Sequence, residues 1–303
     1  MLSYRHIFHA GNHADIFKHT ALSLLLEHLN SKDKPYTVID THAGAGRYDL
    51  SDERAQKTGE AAAGINTLLA ENTPLPAGYA ARYGSFCRSC LAEGFYSGSP
   101  ELERSLMRPS DTLILCELHS AEIDVLRQTM RLPPASGRES CSVQIHHRNG
   151  FEALRALTPP QIKRGMVFTD PSYEDAFEYD AAAEAFSGVH ERWPAAVLAL
   201  WYPLIARRSI ECSTMKQKIT ASVKSSAVPC SVLDAQLLIQ TPDSHRETPL
   251  DDPLEHNPPR LYGSGMLIVN VPWKLDEELS AVLPYYAAVL GTEHCGSWNV
   301  RVL

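Results

Sequence analysis

Short apolar runs alternate with helically patterned stretches along most of this chain. Apolar residues recur at close to helical spacing in Asn12–Leu29, Ser120–Arg131 and Ala181–Phe186. Strands that alternate with helices predict an α/β domain, with a mostly parallel sheet of seven strands and helices on both faces. The predicted strands are Thr37–Ile39, Thr112–Leu118, Ser142–His146, Met166–Asp170, Ala196–Tyr202, Ser231–Ile239 and Gly265–Val271.

The last two predicted strands have no long helical pattern between them. A parallel connection needs a crossover of a dozen or more residues, usually a helix. We therefore expect these two strands to form an antiparallel hairpin at the edge of the sheet.

One connection is much longer than the others. After the glycines at Gly44–Gly46, the next predicted strand begins only at Thr112, whereas a strand–helix–strand unit needs about 30 residues. We interpret residues 49–98 as a small helical insertion, with a helical patch at Glu60–Ala70, in a main domain of residues 1–48 and 99–303. Ser99–Pro100 then begins a helix, with serine as cap and proline at the first helical position.

Composition indicates a globular protein outside the membrane. The 303 residues are 44% hydrophobic and 21% charged, and the strongly apolar stretch Ala195–Tyr202 is far shorter than the roughly 20 residues that span a bilayer. The amino terminus is polar and rich in histidine, unlike a secretory signal. Cys87 and Cys90 form a CxxC pair without a second pair, which favours reduced thiols over a zinc site. We expect a cytoplasmic protein.

Polar residues follow the predicted strands, where ligands bind in open α/β sheets. The first strand leads into Asp40–Gly46, a glycine-containing loop without the GxGxxG spacing of dinucleotide sites. Glu117 ends the second strand and can accept hydrogen bonds from both hydroxyls of a ribose. Asn149, Gly150 and Phe151 follow the third strand and are suited to an adenine edge. Together these positions predict a site for a nucleoside cofactor.

The fourth strand ends in Asp170, Pro171, Ser172 and Tyr173. The lone pair of an adenine amine is delocalised into the ring, so a catalyst must orient it towards the electrophile. Asp170 and the carbonyl of Pro171 can accept the two N–H bonds of such an amine, and Tyr173 can stack on the base. A plain Asp-Pro turn that leaves a strand is the structural alternative.

Several motifs resemble those of known methyltransferases. DTHAGAG (Asp40–Gly46) resembles the cofactor loop of class I S-adenosylmethionine-dependent methyltransferases, and DPSY (Asp170–Tyr173) resembles the DPPY motif of amino-methyltransferases. AGNHADIFKH (Ala10–His19), YSGSP (Tyr96–Pro100) and GSGMLIVNVPW (Gly263–Trp273) are similar to motifs of the RlmJ family of 23S ribosomal RNA adenine-N6 methyltransferases. The resemblance covers nearly the whole chain, including the predicted insertion.

This resemblance implies a Rossmann-like fold, S-adenosylmethionine as methyl donor and a flipped-out adenine of 23S ribosomal RNA, free or in early assembly particles, as acceptor. Asp170 would be the catalytic acceptor, Glu117 would hold the cofactor ribose, and Tyr4 would face the RNA. The other cofactor contacts that it implies are Lys18 and His19 at the methionine end, His42, Ser99 and Asp170 in the same pocket, and Asn149 with Gly150 beside the cofactor adenine.

The chain departs from the family pattern at two positions. Ser172 stands where DPPY has its second proline, which leaves the Pro171 carbonyl available in a less rigid loop. Asn149 stands where the family pattern has an acid, and its amide can still hydrogen-bond an adenine edge.

Four histidines, His6, His9, His13 and His19, lie within Ser3–His19. His9 and His13 are spaced for zinc on a helix, but Gly11 weakens a helix there and no HExxH motif accompanies them. We favour a surface that faces cofactor and RNA, without a metal, in which His6 and His9 contact a phosphate or a base. The net charge of −8 argues against general RNA binding but allows such a local face. Packed or capping histidines are the alternative.

Two other functions remain open from the sequence. Similar motifs serve methyltransferases that act on DNA adenine or on a glutamine side chain. A non-catalytic RNA-binding factor that keeps the fold is the second alternative, although it would not need Asp170, Tyr173 and Glu117. We expect a monomer with no obligate protein partner.

Overall fold

One large sheet organises the protein. The computed structural model describes residues 4–70, 75–76, 78–242 and 261–303, apart from the side chains of Tyr79 and Glu293. Eight strands pair in one sheet, and two short strands, β2 and β3, pair in another. The strands are β1 Thr37–Asp40, β2 Arg47–Tyr48, β3 Tyr96–Ser97, β4 Thr112–Glu117, β5 Ser142–His147, β6 Gly165–Thr169, β7 Val197–Leu204, β8 Val232–Leu238, β9 Gly263–Val269 and β10 Ser297–Val302.

The strand order of the large sheet is β10-β8-β9-β7-β6-β1-β4-β5. The five strands from β7 to β5 are parallel, and β9 runs antiparallel to both β7 and β8. The four central strands β1, β6, β7 and β9 are buried throughout, as expected for strands covered on both faces. The predicted α/β class with a mostly parallel sheet is confirmed.

The edge of the sheet differs from the prediction. The antiparallel hairpin of β8 and β9 is confirmed, but β9 lies inside the sheet, between β7 and β8. The edge is formed by an eighth strand, β10, which pairs antiparallel with β8 and which the sequence analysis missed. In β10, Trp298, Val300 and Val302 alternate with polar residues. That pattern is typical of a half-exposed edge strand, whereas continuous apolar runs mark the buried ones.

Helices connect the strands on both faces of the sheet. The chain passes outward from β1 to β4 and β5, then returns past β1 to β6 and β7. Because such crossovers are right-handed, helices of the two halves lie on opposite faces. The helices are α1 His13–Asn30, α2 Glu53–Thr58, α3 Thr67–Leu69, α4 Tyr79–Ala92, α5 Ser99–Leu106, α6 Ser120–Thr129, α7 Gly150–Leu157, α8 Phe177–Arg192, α9 Ser209–Ser225 and α10 Leu275–Leu290.

Helix α5 begins one residue earlier than the sequence suggests. Ser99 is its first residue and Gly98 its cap, so Ser99 does not cap the helix. The Ser99 hydroxyl instead donates to Asp40 Oδ2 over 2.7 Å. Ser99, which was predicted to cap α5, therefore links α5 to the end of β1 through its side chain.

The segment between β2 and β3 is helical but broken. The predicted helix at Glu60–Ala70 is a π-helical turn, Ala62–Asn66, followed by the short α3. Gly64 explains the break, because it has non-helical backbone angles and an added Cβ would lie 2.8 Å from the Cα of Asn12. Residues 71–74 and 77 of the predicted insertion lie outside the described residues. The division into a main domain and an insertion stays a prediction.

Across the described ranges, we find no helix that combines the length and the apolar character needed to cross a membrane.

Candidate active site

A cavity of about 240 Å³ lies where the carboxyl ends of β1, β4 and β6 meet. The strand order reverses between β1 and β6, and open α/β sheets bind ligands at such a point. Most of the predicted site residues line this cavity, whereas His9, Pro171 and Tyr173 do not. Those that line it are Tyr4, His6, Lys18, His19, His42, Ser99, Glu117, Asn149, Gly150, Phe151 and Asp170.

Asp40 anchors the loop that leaves β1. It is fully buried, and its Oδ1 accepts a hydrogen bond from the backbone N–H of His42 at 3.0 Å. Its Oδ2 accepts from Ser99. Burial raises the pKa of Asp40 to about 7, an effect that these two hydrogen bonds oppose. The loop then turns through Gly44 and Gly46, whose φ angles of +60° and +80° favour glycine.

Glu117 fixes the other side of this loop. Its Oε2 accepts from Gly44 N–H at 2.7 Å and its Oε1 accepts from His119 N–H at 2.6 Å. Burial raises the pKa of Glu117, although these backbone donors oppose the rise. Each carboxylate oxygen keeps a further lone pair, so Glu117 can still accept from two hydroxyl groups.

Asn149 and Gly150 form the start of α7. Asn149 caps this helix, since its Oδ1 accepts from Glu152 N–H at 3.2 Å. Gly150 lies so close to the end of β1 that an added Cβ would be 2.6 Å from Thr41 Cβ, and closer still to the Thr41 carbonyl oxygen. Glycine is thus required for α7 to approach the cavity.

Lys18 links two carboxylates at the base of the site. Its Nζ lies 2.9 Å from Asp15 Oδ1 and forms an ion pair with Asp170 Oδ2. Burial opposes the charge on Lys18, but the two carboxylates outweigh it and raise the pKa of Lys18 above its usual range. Burial likewise opposes ionisation of Asp15, but His6 and Lys18 hold its pKa well below the usual range. The lysine is therefore a fixed cation beside Asp170.

Of the amino-terminal histidines, His6 and His19 line the cavity, whereas His9 lies outside it and is partly exposed. His6 Nε2 lies 2.9 Å from Asp15 Oδ2, and its Nδ1 is hydrogen-bonded to the Tyr4 hydroxyl at 2.9 Å. The ring of Tyr4 also stacks on His9, whose Nδ1 lies 2.8 Å from Glu60 Oε1. These contacts attach the amino-terminal segment to α1 and to the segment after α2.

Three histidines in or near the site, His19 buried and His13 and His42 half-buried, are neutral at neutral pH. Burial lowers the pKa of His13 and of His42 to about 4 and that of His19 to about 3. Helix α1 begins at His13, so His9 and His13 do not share the helical face that a zinc site would need. The described residues contain no group of three or more His, Cys, Asp or Glu side chains that could hold a metal ion.

Pro171 and Tyr173 do not line the cavity. The Tyr173 ring is buried, its centroid 4.4 Å from that of Tyr179, and its hydroxyl donates to the carbonyl of Trp201 at 3.1 Å. A φ of 51° at Tyr173 turns the chain at this point. In this arrangement the ring packs in the core and does not provide a platform inside the cavity.

The sequence analysis missed several residues of the site. Asp15 is the acid that holds both His6 and Lys18, and its spacing of three residues from Lys18 on a predicted helix is a signal that could have found it. The hydroxyl of Tyr48 accepts from Ala45 N–H at 3.1 Å and supports the glycine loop. No sequence pattern marks its role. Other unpredicted lining residues are Thr41, His119, Glu122, Ser172, Phe177 and Glu178.

The fold and the cavity define an α/β protein whose ligand site lies at the carboxyl ends of parallel strands. A family model described as "Ribosomal RNA large subunit methyltransferase D, RlmJ" matches residues 33–303. The chain is 36% identical to ribosomal RNA large subunit methyltransferase J of Escherichia coli K12 over 307 residues, which cover 99% of each chain. It is 34% identical to the protein of that name from Haemophilus influenzae over 305 residues, 99% of this chain and 98% of the relative. The chain belongs to the RlmJ family of ribosomal RNA large subunit methyltransferases.

A solved structure has the same overall arrangement. The crystal structure of a Legionella pneumophila protein is similar to this chain with a TM-score of 0.79 and 28% sequence identity. The match covers 97% of this chain and 98% of that one.

Proposed function

We propose that this protein transfers a methyl group from S-adenosylmethionine to the N6 amine of an adenine in 23S ribosomal RNA. One observation carries the proposal beyond family membership. Asp170, at the end of β6, shares one cavity with Glu117 and Asn149, at the ends of β4 and β5. A carboxylate suited to an amine thus lies beside groups suited to a nucleoside.

The donor set of the cavity fits S-adenosylmethionine. Glu117 has two oxygens that can accept from the ribose hydroxyls, and the glycine loop allows close approach of the backbone. Asn149 and Gly150 are proposed to flank the adenine. At the other end, Lys18, His19, His42 and Ser99 line the space proposed for the methionine group. The cofactor supplies an electrophilic methyl group on a positively charged sulfur.

Asp170 and the carbonyl of Pro171 are proposed to orient the acceptor amine. Lys18 occupies Asp170 Oδ2, so Oδ1 is the oxygen that we assign to the amine. The ion pair with Lys18 fixes the orientation of the carboxylate. With both N–H bonds held, the nitrogen lone pair points towards the methyl group, and this positioning is the main contribution to catalysis. The surplus proton leaves to Asp170 or to water.

Tyr4 and His6 are proposed to contact the RNA near the target base. Both line the cavity, and Tyr4 joins His6 to His9 through a hydrogen bond and a ring stack. Extrusion of the base costs a few kcal/mol, which stacking and hydrogen bonds can offset. Stacking by Tyr173 would require its ring to leave Tyr179. That role stays a prediction.

The proposed substrate bears on the cellular compartment of the protein. A ribosomal RNA acceptor, free or in early assembly particles, places the protein in the cytoplasm under this proposal. We propose that it acts as a monomer without an obligate protein partner. Gel filtration with light scattering would check the monomer directly.

Methyl transfer to three acceptors tests the proposal. Labelled S-adenosylmethionine is incubated with deproteinised 23S RNA that lacks its modifications, with genomic DNA and with ribosomal protein. We expect label in the RNA alone, recovered as N6-methyladenosine after digestion. Label only in DNA or in protein would show that the enzyme methylates a different acceptor from the one proposed. Binding of cofactor without any transfer would favour a non-catalytic RNA-binding factor.

Asp170→Ala tests the catalytic assignment in the same assay. Removal of the carboxylate should lower methyl transfer by at least about 100-fold, because the amine loses an acceptor that aligns it. Calorimetry with S-adenosylmethionine should show that the variant still binds the cofactor. Wild-type turnover by Asp170→Ala would rule out the role given to this residue.

A further inference from the structure

A groove of about 460 Å³ lies between α7 and α8, next to the candidate active site. The groove and the active-site cavity share three lining residues, Asn149, Phe151 and Phe177. The groove therefore adjoins the cavity along these three residues. The proposed function does not use this groove.

An exposed aromatic ring stands at the boundary between the two spaces. Phe177 is the first residue of α8, seven positions after Asp170, and it is 68% exposed. A single exposed apolar residue is ordinary, but this ring lines both the cavity and the groove. Aromatic rings in such positions act as stacking platforms for the bases of single-stranded nucleic acid.

The walls of the groove carry two arginines and two small side chains beside the ring. Arg155, on α7, is exposed and forms no ion pair among the described residues, and Arg192 lies on α8 at the far end. Ala181 and Ala185 leave room beside Phe177. Glu152 and Glu184 also line the groove and balance the formal charge of the two arginines. The groove is therefore not a general phosphate track, and its chemistry fits one stacked base and one phosphate contact.

We propose that this groove binds a nucleotide that flanks the target adenine in the substrate RNA. The base of that nucleotide stacks on Phe177, and its phosphate is held by Arg155. The proposal rests on the proposed function, since it assigns a binding site to the nucleotide next to the adenine that enters the cavity. The target adenine must leave its stack before it can be methylated. Stacking of the neighbouring base on Phe177 would stabilise the RNA strand with the adenine flipped out.

Steady-state kinetics on the full chain test this proposal with deproteinised 23S RNA. Phe177→Ala should raise KM for the RNA about tenfold, within the range that stacking of one base supplies, while kcat at saturating RNA changes far less. Phe177→Trp should restore the wild-type KM. Trp273→Ala is the matched control, because Trp273 is 81% exposed and follows the end of β9, which lies beside the start of β7 and away from the carboxyl ends of the parallel strands. Equal KM values for Phe177→Ala and Trp273→Ala would overturn the proposal.

The arginine has its own comparison. Arg155→Ala should raise KM for the RNA several-fold and make its dependence on salt shallower, because one phosphate contact is lost. Arg138→Ala is the control, since Arg138 is exposed and precedes β5, at the end of that strand opposite to the start of α7. An unchanged salt dependence in Arg155→Ala would remove this residue from the assignment.

Photocrosslinking locates the nucleotide without a mutation. RNA that carries 5-iodouridine at positions beside the target adenine is irradiated with the wild-type protein, and crosslinked peptides are identified by mass spectrometry. A crosslink to the peptide that contains Phe177 is expected, and crosslinks only to peptides outside α7 and α8 would contradict the groove. If the wild-type protein methylates no RNA, the proposed function itself fails. If it methylates RNA but Phe177→Ala has no effect, only the groove proposal fails.

Discussion

Asp40 ends β1 inside the protein, where both of its oxygens accept hydrogen bonds. Its neighbours Asp170 and Lys18 act in opposite directions, and burial is the largest influence on its charge. The pKa of about 7 means that the folded protein holds a proton on Asp40 over a range in which the unfolded chain has lost it. Asp40 therefore stabilises the fold fully only at low pH. That contribution is lost as the pH rises from about 4 to about 7.

Asp40→Asn should remove this pH dependence, because asparagine keeps the shape and cannot ionise. Its carbonyl oxygen can accept from His42 N–H, and its amide can donate to the Ser99 hydroxyl. Relative to the wild type, the variant should gain up to about 1.4 kcal/mol of unfolding free energy per pH unit between pH 5 and 7. Urea unfolding at several pH values measures this difference. Parallel curves for the two proteins would show that Asp40 keeps an ordinary pKa.

Site residues could be predicted from the sequence where they end or follow a clear strand pattern. Glu117 and Asp170 end apolar runs, Asn149 follows the third predicted strand, and the structure brings the three to one cavity. Asp15 was not found, because periodicity does not distinguish a buried acid inside a helix from a solvated one. The direction of the Tyr173 ring depends on a positive φ that no residue pattern announces.

At the scale of elements, the sequence was sufficient for the seven predicted strands and for the hairpin of β8 and β9. Strand β10 and the break at Gly64 were not predictable in the same way. The pairing of β10 depends on the edge that β8 offers, and the break depends on contact between Gly64 and Asn12. Both are tertiary contacts between segments far apart in the chain, which local patterns do not encode.

The start of α7 depends on a close approach between two elements. In Gly150→Ala, the new Cβ would overlap the backbone of Thr41 and force α7 away from β1. We expect a loss of stability of about 1–3 kcal/mol and weaker binding of S-adenosylmethionine, because Asn149 and Gly150 would move with the helix.

Gly188→Ala is the matched control for this substitution. Gly188 lies inside α8, where an added Cβ would be 3.2 Å from the flexible end of Arg192. Alanine there should be neutral or stabilising by up to about 1 kcal/mol. Thermal unfolding and calorimetry of both variants check the difference. Equal stability of the two variants would show that α7 tolerates the displacement.

On the scale of the whole molecule, the net charge of −8 is in tension with an RNA substrate. Several cations among the described residues are already paired with acids, as Arg5 is with Glu122 and Arg208 with Glu211. Arg148 and Arg207 follow β5 and β7 at the carboxyl edge and are exposed, without an ion pair among the residues that the structure describes. Together with Arg155, they are the cations that we expect to meet phosphates.

A small number of phosphate contacts predicts a shallow dependence on salt. Single-stranded contacts each contribute a slope of about −0.7 in log K against log salt, so three contacts give a slope near −2. We expect this slope for wild-type binding to the RNA, and a slope less steep by about 0.7 for Arg207→Ala. Fluorescence anisotropy with labelled RNA over a range of KCl concentrations measures both values. A wild-type slope of about −6 or steeper would mean that the RNA covers a basic surface much larger than these three arginines. A protein that binds through few charges must instead obtain its affinity from ring stacking and base contacts, and these persist at high salt.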